Sequence, residues 1–471
     1  MNRCTFQIDR KLRLRRWPRI ESYQNSTLRY TPPEDFPAFW SEQMDMRPKI
    51  LRVWVTLDEI WEPDTDTYDW DYLIGVDKQG EKRHYPYDWP VTRPSETHFE
   101  KYLTSYCAIA EEAMLNIRRF ERETADGVLS YEKYEEVVEK VIEHCVRLCP
   151  NIRWIEALNE SEIRTFGMIT VAERVKLYDC ICRAVNRLNS RYGWELRVGG
   201  VAITGGYYFK EEYEYLRQLS VTGTPERRID FYSYHSYRGD RNRLTQMYVL
   251  HKAAIEELGL PDAPMFMDEF GTRPLSGERI ENLMNACGTL AGMLHMSDMR
   301  GLYVFPWCTY HNPELQMVYT QYLRAGNGYT ATPNAFAVRL LRDMLEDELV
   351  VEEQDSGMED FDHRVLYSRD PGQLKATAAG NEVRLIVTNP NEEEMPVKEI
   401  EDDTDGLFHV LSLVDGEKVK VTSLDDPEKF FIMNSLDIIV IPASLGRYKI
   451  ENLGAGIVTV HKTLLKKDAA Y

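Results

Sequence analysis

The sequence predicts an α/β fold: a (β/α)8 TIM barrel over residues 1–345 followed by a small antiparallel β-sandwich over residues 346–471. Two observations carry this reading. Short apolar runs alternate with amphipathic helices through about the first 345 residues, the pattern of βα units around a parallel sheet. Beyond residue 346 the runs shorten, apolar and polar residues alternate within them, and turn signals separate them.

The first strand is expected in residues 18–23, and KILRVWVT (49–56) reads as the second. A polar, Asp-rich loop follows, ending in Tyr68, Asp69 and Trp70. A helix from about His98 leads to a third strand over residues 114–118. The helix after it is the clearest. Ser130 is a plausible N-cap, and Tyr134, Val137, Val138, Val141, Ile142, Cys145 and Leu148 share one face at helical spacing. Pro150 stops it. NIRWIEAL (151–158) is the fourth strand, and Thr170 with Glu173 forms a capping box for the helix beyond. Strands then follow at 196–204, 229–237, 263–270 and 301–307, with helices near 210–220, 241–258, 278–295 and 333–345. Eight βα units in one run suggest a closed barrel rather than an open doubly wound sheet. No GxGxxG follows a first strand, which weakens a dinucleotide-binding reading. In the tail, EVRLIVTN, LFHVLSLV and DIIVIPA are the clearest strands.

Composition narrows the partners. Hydrophobic residues make up 43% and charged residues 28%, as in ordinary globular proteins. A net charge of −20 repels phosphate backbones and anionic lipid, so neither nucleic acid nor membrane is expected as a partner. A neutral carbohydrate is not repelled. No apolar stretch reads as a signal peptide or a membrane span, so a cytoplasmic location is expected. The cysteines at 4, 107, 145, 149, 180, 182, 287 and 308 are scattered and read as free thiols. Cys145 and Cys149 lie beside His144, but an apolar helix face explains them better than a metal does, and no metal or cofactor is expected. The small β domain is expected to support the barrel or to mediate contacts in a homo-oligomer.

Barrel chemistry sits at the C-terminal ends of the strands. Two strands deliver the same kind of residue there. The fourth ends in Asn159-Glu160 and the seventh in Asp268-Glu269. Cleavage of a glycosidic bond needs two carboxyl groups flanking one bond, a protonated acid and a second group that attacks carbon or activates water. Strands four and seven face each other across a barrel mouth and can bring such a pair together.

These motifs resemble clan A glycoside hydrolases, most closely family 39, whose members include β-xylosidases and α-L-iduronidases. The family pattern Phe-Glu-x-Trp-Asn-Glu-Pro on strand four is matched by Ile155-Glu156-Ala157-Leu158-Asn159-Glu160-Ser161 at Glu, Asn and Glu. Leu158 and Ser161 replace the family's Trp and Pro. Gly199-Gly200-Val201 stands where strand five carries Gly-Gly-Pro. Asp230-Phe231-Tyr232-Ser233-Tyr234-His235-Ser236-Tyr237 matches the strand-six pattern in full, and Glu269-Phe270-Gly271 is closer to family 5. The resemblance spans about residues 15–345.

It implies a retaining glycosidase acting on β-linked xylosides or short oligosaccharides, with Glu160 as acid/base and Glu269 as nucleophile. It further implies that Asn159 binds the substrate 2-OH, that Tyr237 and Arg52 keep Glu269 ionised, and that His235 and Trp307 line the sugar subsite. Glu156, deeper on the face of Glu160, is assigned to buried hydrogen bonding. Aromatic residues at 85, 87, 89 and 207–209 either border the cleft or pack on the barrel rim. The competing reading is a catalytically inactive carbohydrate-binding barrel, which would have no need of a carboxyl pair.

Overall fold

The computed structural model describes residues 5–26, 33–34, 37–73, 98–163, 166–221, 223–237, 241–271, 283–307, 321–325, 328–355, 373–380, 382–388, 399–404, 408–454 and 458–464. The chain forms two compact units, Arg19–Arg342 and the combination of Met1–Pro18 with Asp343–Tyr471.

The larger unit is an eight-stranded parallel barrel. Its strands are Tyr23–Asn25, Ile50–Thr56, Glu112–Arg118, Ile152–Ala157, Arg197–Ile203, Phe231–Ser236, Met265–Phe270 and Leu302–Pro306, paired in sequence order. The first and eighth meet through the Asn25 amide, whose Nδ2 donates to the Pro306 carbonyl at 3.3 Å. The Tyr23 ring also lies 4.9 Å from Tyr303. A parallel sheet covered on both faces needs apolar strands, and every residue of Ile50–Thr56 is buried.

Tyr23, Ile50, Met114, Trp154, Phe231, Phe266 and Phe305 form one cluster inside the barrel, drawn from seven of the eight strands. The fifth strand supplies Gly199 at this level. A Cβ there would lie 2.2 Å from the Phe231 carbonyl oxygen. The glycine therefore makes room for the large side chain beside it.

The outer helices form for the reasons legible in sequence. Tyr131–Leu148 begins where Ser130 Oγ accepts from Lys133 N, and it buries Tyr134, Val137, Val138, Val141, Ile142 and Cys145. Each buried aliphatic side chain contributes roughly 2 kcal/mol. Val171–Tyr192 opens with the Thr170/Glu173 capping box and ends on left-handed Gly193. Leu283–Met296 is shorter than expected within the described residues, and Pro333–Arg342 ends the barrel. Pro37–Met46 and a hairpin of Tyr322–Ala325 with Gly328–Ala331 are additional to the expected set.

Two expectations need correction. Residues 20–22 form a 3-10 turn entered through left-handed Arg19, so the first barrel strand is Tyr23–Asn25, which overlaps the expected span only at Tyr23. The boundary of 1–345 also fails at its start, because Thr5–Arg16 is a strand of the β unit. It pairs antiparallel with Asp347–Asp355 over a register running from Thr5↔Asp355 to Arg16↔Asp347. The reason is charge. Arg15 Nε contacts buried Glu348 at 2.7 Å, Arg16 contacts Glu346 at 2.7 Å and Arg13 faces Asp347 at 3.7 Å. A basic strand finds its cross-strand partners in an acidic one.

The β unit extends this sheet with Gln373–Ala379 and Glu382–Thr388. A four-stranded sheet (Glu399–Asp403, Arg447–Asn452, Lys418–Ser423, Phe430–Asn434) and a three-stranded sheet (Ile438–Ile441, His409–Asp415, Thr459–Leu464) complete it. Leu411, Leu413 and Ile441 from the latter pack against Val419, Val421, Met433 and Tyr448 from the former, which is sandwich packing. Six cysteines among the described residues are free thiols, and Cys4 and Cys308 lie outside them. No described helix is long and apolar enough to cross a membrane.

Candidate active site

Arg52 sits in the second strand with no exposed side-chain surface. A buried guanidinium costs several kcal/mol unless it is paired, and the barrel interior supplies partners on every side. Nε donates to Glu156 Oε2 at 2.6 Å and lies 3.1 Å from Asp268 Oδ2. Nη1 donates to Glu269 Oε1 at 2.9 Å and Nη2 to Asn159 Oδ1 at 2.8 Å. Asn25 Oδ1 completes the ring at 3.4 Å. One arginine from strand two thus ties strands one, four and seven together.

The segment after strand four holds Glu160 in an unusual backbone state. Leu158 and Glu160 have φ of 65° and 46°, the left-handed region that side chains other than Gly seldom enter. Neighbours on three sides enforce it. Asn116 Nδ2 donates to the Leu158 carbonyl at 2.7 Å, and Glu160 N donates to the Ala202 carbonyl at 3.0 Å. Arg174 Nε donates to Ser161 Oγ at 3.1 Å, and Glu162 Oε1 accepts from Thr204 N at 2.7 Å.

Strands six and seven bring up the remaining groups. Met267 pairs with Tyr234, and Glu269 pairs with His235, so Asp268 is an extra residue on strand seven. The pairing with strand eight shows the same surplus, from Met267↔Val304 to Phe270↔Pro306. This is a β-bulge, a device that re-aims side chains. It lets both Asp268 and Glu269 reach Arg52, although successive strand residues normally point to opposite faces. His235 Nδ1 lies 2.8 Å from Glu160 Oε1 and 3.4 Å from Glu269 Oε2. Its other nitrogen, Nε2, faces Asp268 Oδ2 at 3.5 Å. The Tyr237 hydroxyl donates to Glu269 Oε2.

The charges follow from burial and partners. Burial alone would strip the proton from His235, but the carboxylates of Glu269 and Asp268 and the hydrogen bond to Glu160 outweigh it and hold the ring charged. Burial likewise opposes ionisation of Asp268, and Arg52 and His235 outweigh it, so this carboxyl stays ionised. Glu156 goes the other way. Burial, reinforced by the Asp268 charge, raises its carboxyl despite Arg52 and keeps it protonated. Burial raises Glu269, as does Glu160, while His235, Arg52 and the Tyr237 hydrogen bond pull it back.

Of the residues expected from sequence, Arg52, Asn159, Glu160, His235, Tyr237 and Glu269 converge in one network of contacts. Glu156 is buried beneath them and accepts from Arg52 and from Asn116 Nδ2 at 2.8 Å. Trp307 is at the end of strand eight but buried, edge-on to Trp54 at 5.6 Å, with Tyr237 packed on the pair. Sequence reasoning missed Asn25, Asn116 and Asp268, and the only signal for the last was two consecutive acids closing one strand. Residues 85, 87 and 89, and the side chains of 207 and 208, lie outside the described set, and Phe209 packs on His251. Among the described residues, Glu160, His235 and Glu269 place donor atoms within 4.8 Å of one another, the one such grouping with the span to hold a cation.

No protein-family model matches the sequence, and neither does any curated protein. Solved structures do match. A glucosidase from Croceicoccus marinus is 14% identical with a TM-score of 0.57, covering 96% of this chain and 100% of its own. A monomeric beta-xylosidase from Caulobacter crescentus CB15 is 13% identical with a TM-score of 0.58, covering 95% and 99%. The GH39 enzyme from Xanthomonas axonopodis pv. citri is 13% identical with a TM-score of 0.58, covering 95% and 97%. The barrel with its β domain is therefore a fold shared with solved glycoside hydrolases of family 39.

Proposed function

We propose that this protein is a retaining glycoside hydrolase cleaving β-linked xylosides or short oligosaccharides, with Glu160 as acid/base and Glu269 as nucleophile. The observation that carries the reading is the spacing: carboxylate oxygens of Glu160 and Glu269 lie within 4.8 Å. Retaining enzymes hold their carboxyl pair at about 5–5.5 Å, whereas inverting ones leave about 6.5–9.5 Å for a water.

In this reading a Glu269 oxygen attacks the anomeric carbon while the glycosidic C–O bond breaks. The departing oxygen takes a proton from Glu160. Water then enters, loses a proton to Glu160, and displaces Glu269 from carbon. Arg52 and Tyr237 orient the two Glu269 oxygens, one each. Asn159 has its amide oxygen held by Arg52, which leaves the NH2 to donate to a sugar hydroxyl. Fold likeness to a beta-xylosidase and a glucosidase supports neutral β-glycosides as the substrate class.

The test is a panel of aryl glycosides with wild type, Glu160→Ala and Glu269→Ala. Glu269→Ala is expected to lose activity and to recover it with azide, giving a product of inverted configuration. Glu160→Ala is expected to spare substrates with good leaving groups. Equal loss across all leaving groups contradicts the acid/base role. Sugar binding without turnover by the wild type would make the barrel a binding protein instead.

A further inference from the structure

We propose that Asp268 is a positioning residue: its buried carboxylate backs Nε2 of His235 and keeps the opposite ring nitrogen donating into the gap between Glu160 and Glu269. The inference rests on the glycosidase reading for its kinetic consequence, and on geometry for its arrangement.

The geometry is specific. Asp268 shares the interior face of strand seven with Phe266, and the bulge after Met267 brings Glu269 in beside it, so two consecutive acids face the same interior. The side chains of Asp268 and His235 have no exposed surface. Nε2 of His235, both carboxyl oxygens of Asp268 and Oε1 of Glu156 have no hydrogen-bond partner among the described residues, so the 3.5 Å approach of Nε2 to Oδ2 is an ion-pair contact between two atoms that no hydrogen bond answers. Beyond its ion pair with Arg52, then, Asp268 has His235 and Glu156 to face. The ionisable groups around the ring are Glu160 from the segment after strand four, Asp268 and Glu269 from strand seven, and Arg52 beyond them. The glycines of strand five bring no charge. Three carboxyl groups surround one imidazole, and Asp268 is the one that meets no substrate.

This matters because the first chemical step moves negative charge. As Glu269 bonds to carbon it loses its charge, and as Glu160 gives up its proton it gains one. A charged ring at 3.4 Å from Glu269 and 2.8 Å from Glu160 serves both ends of that transfer without moving. The same ring then stabilises the Glu160 carboxylate that must act as base in the second step. A neutral ring could donate from only one nitrogen, and its proton would be drawn to whichever acceptor is stronger. Asp268, by neutralising the far side, keeps Nδ1 protonated through both steps.

The decisive measurement is the ring titration of His235, followed by NMR and assigned by its absence in His235→Gln. In the wild type the ring is expected to remain an imidazolium at pH 8, above the ordinary His value of about 6.5. In Asp268→Asn it is expected to be neutral at that pH. A wild-type ring that is neutral at pH 7 overturns the proposal, and this arm stands even if the variant folds poorly.

Kinetically, Asp268→Asn is expected to lower kcat about 100-fold on poor leaving groups and less than about tenfold on dinitrophenyl glycosides. In a His235→Gln background the same change should cost less than about threefold, because the partner is already gone. Full additivity of the two losses overturns the proposal. Complete inactivity of the wild type would sink the glycosidase reading alone, and the ring titration would still decide the arrangement.

Discussion

A guanidinium without an exposed atom is tolerable only while every face of it is answered, and Arg52 is answered by Glu156, Asp268, Glu269, Asn159 and Asn25. Arg52→Met leaves several carboxyls buried without their cation. Breaking a buried pair this way costs about 3–5 kcal/mol, so a fall in Tm by calorimetry and a loss of kcat of at least about 100-fold are expected together. Arg52→Lys is expected to recover little, since an ammonium cannot match the forked geometry. Glu121 offers a test on stability alone. Its carboxyl is raised to about 7, chiefly by burial, with the Arg119 charge and backbone hydrogen bonds opposing. The folded chain therefore holds this proton where the unfolded chain has released it. Stability from this group is complete below the unfolded value and declines as pH rises toward 7, by roughly 3 kcal/mol in all at about 1.4 kcal/mol per unit. Glu121→Gln is expected to flatten Tm against pH between about 4.5 and 7, and an unchanged slope would show the proton to be elsewhere. At this scale the sequence was informative where position and motif agreed. Glu160, Glu269, Tyr237 and Arg52, singled out from strand position and motif, lie within one network of contacts. Asp268 was hidden because, once Glu269 is read as facing the cleft, a period of two sends its neighbour to the other face, and nothing in the residues announces the bulge that brings both inward.

Individual elements were legible in proportion to their regularity. Tyr131–Leu148 shows its apolar stripe and its cap, and Val171–Tyr192 its capping box, because both signals are local. Pro37–Met46 was invisible, since Gln43 sits on its buried face among Phe39, Trp40 and Met46. Tyr23–Asn25 was too short to show a pattern at all. The segment after strand four was visible as a motif, yet its tension was not. Ser161→Ala removes the acceptor of a buried Arg174 nitrogen, which leaves a donor unpaired at a cost of about 1–3 kcal/mol. The expected readout is a kcat lowered about tenfold with KM nearly unchanged, because Glu160 loses its alignment while the sugar contacts persist. A rise in KM with kcat intact would mean that the segment holds substrate instead. Gly199→Ala tests the barrel interior. Its Cβ would meet Phe231 backbone and ring at 2.2–2.6 Å, so loss of soluble folded protein is expected.

The molecule as a whole is divided by composition as well as by contact. Arg13, Arg15 and Arg16 find counter-charges in Asp347 and Glu348 of the strand Asp347–Asp355, and sheet registry follows from that complementarity. Removing residues 1–18 is expected to lower hydrogen-exchange protection in Asp347–Asp355 and Gln373–Ala379 while sparing strands Ile152–Ala157 and Met265–Phe270. Equal loss in the barrel strands would argue against the two-unit division. The coarse architecture was readable because alternation of helix and strand, and its end near residue 346, are statistical features of long stretches. The swap of one strand between units was not, because it depends on a pairing between residues more than three hundred positions apart. That pairing has a consequence for how the chain is made. A ribosome releases Thr5–Arg16 first and its neighbour Asp347–Asp355 only after the intervening barrel has emerged. Domains tend to fold as they emerge, so the early strand must wait as a solvated, positively charged ribbon until the barrel behind it is complete. Its arginines keep that ribbon from sticking to itself in the interval, so the same charges that later choose its neighbour also guard it while it has none.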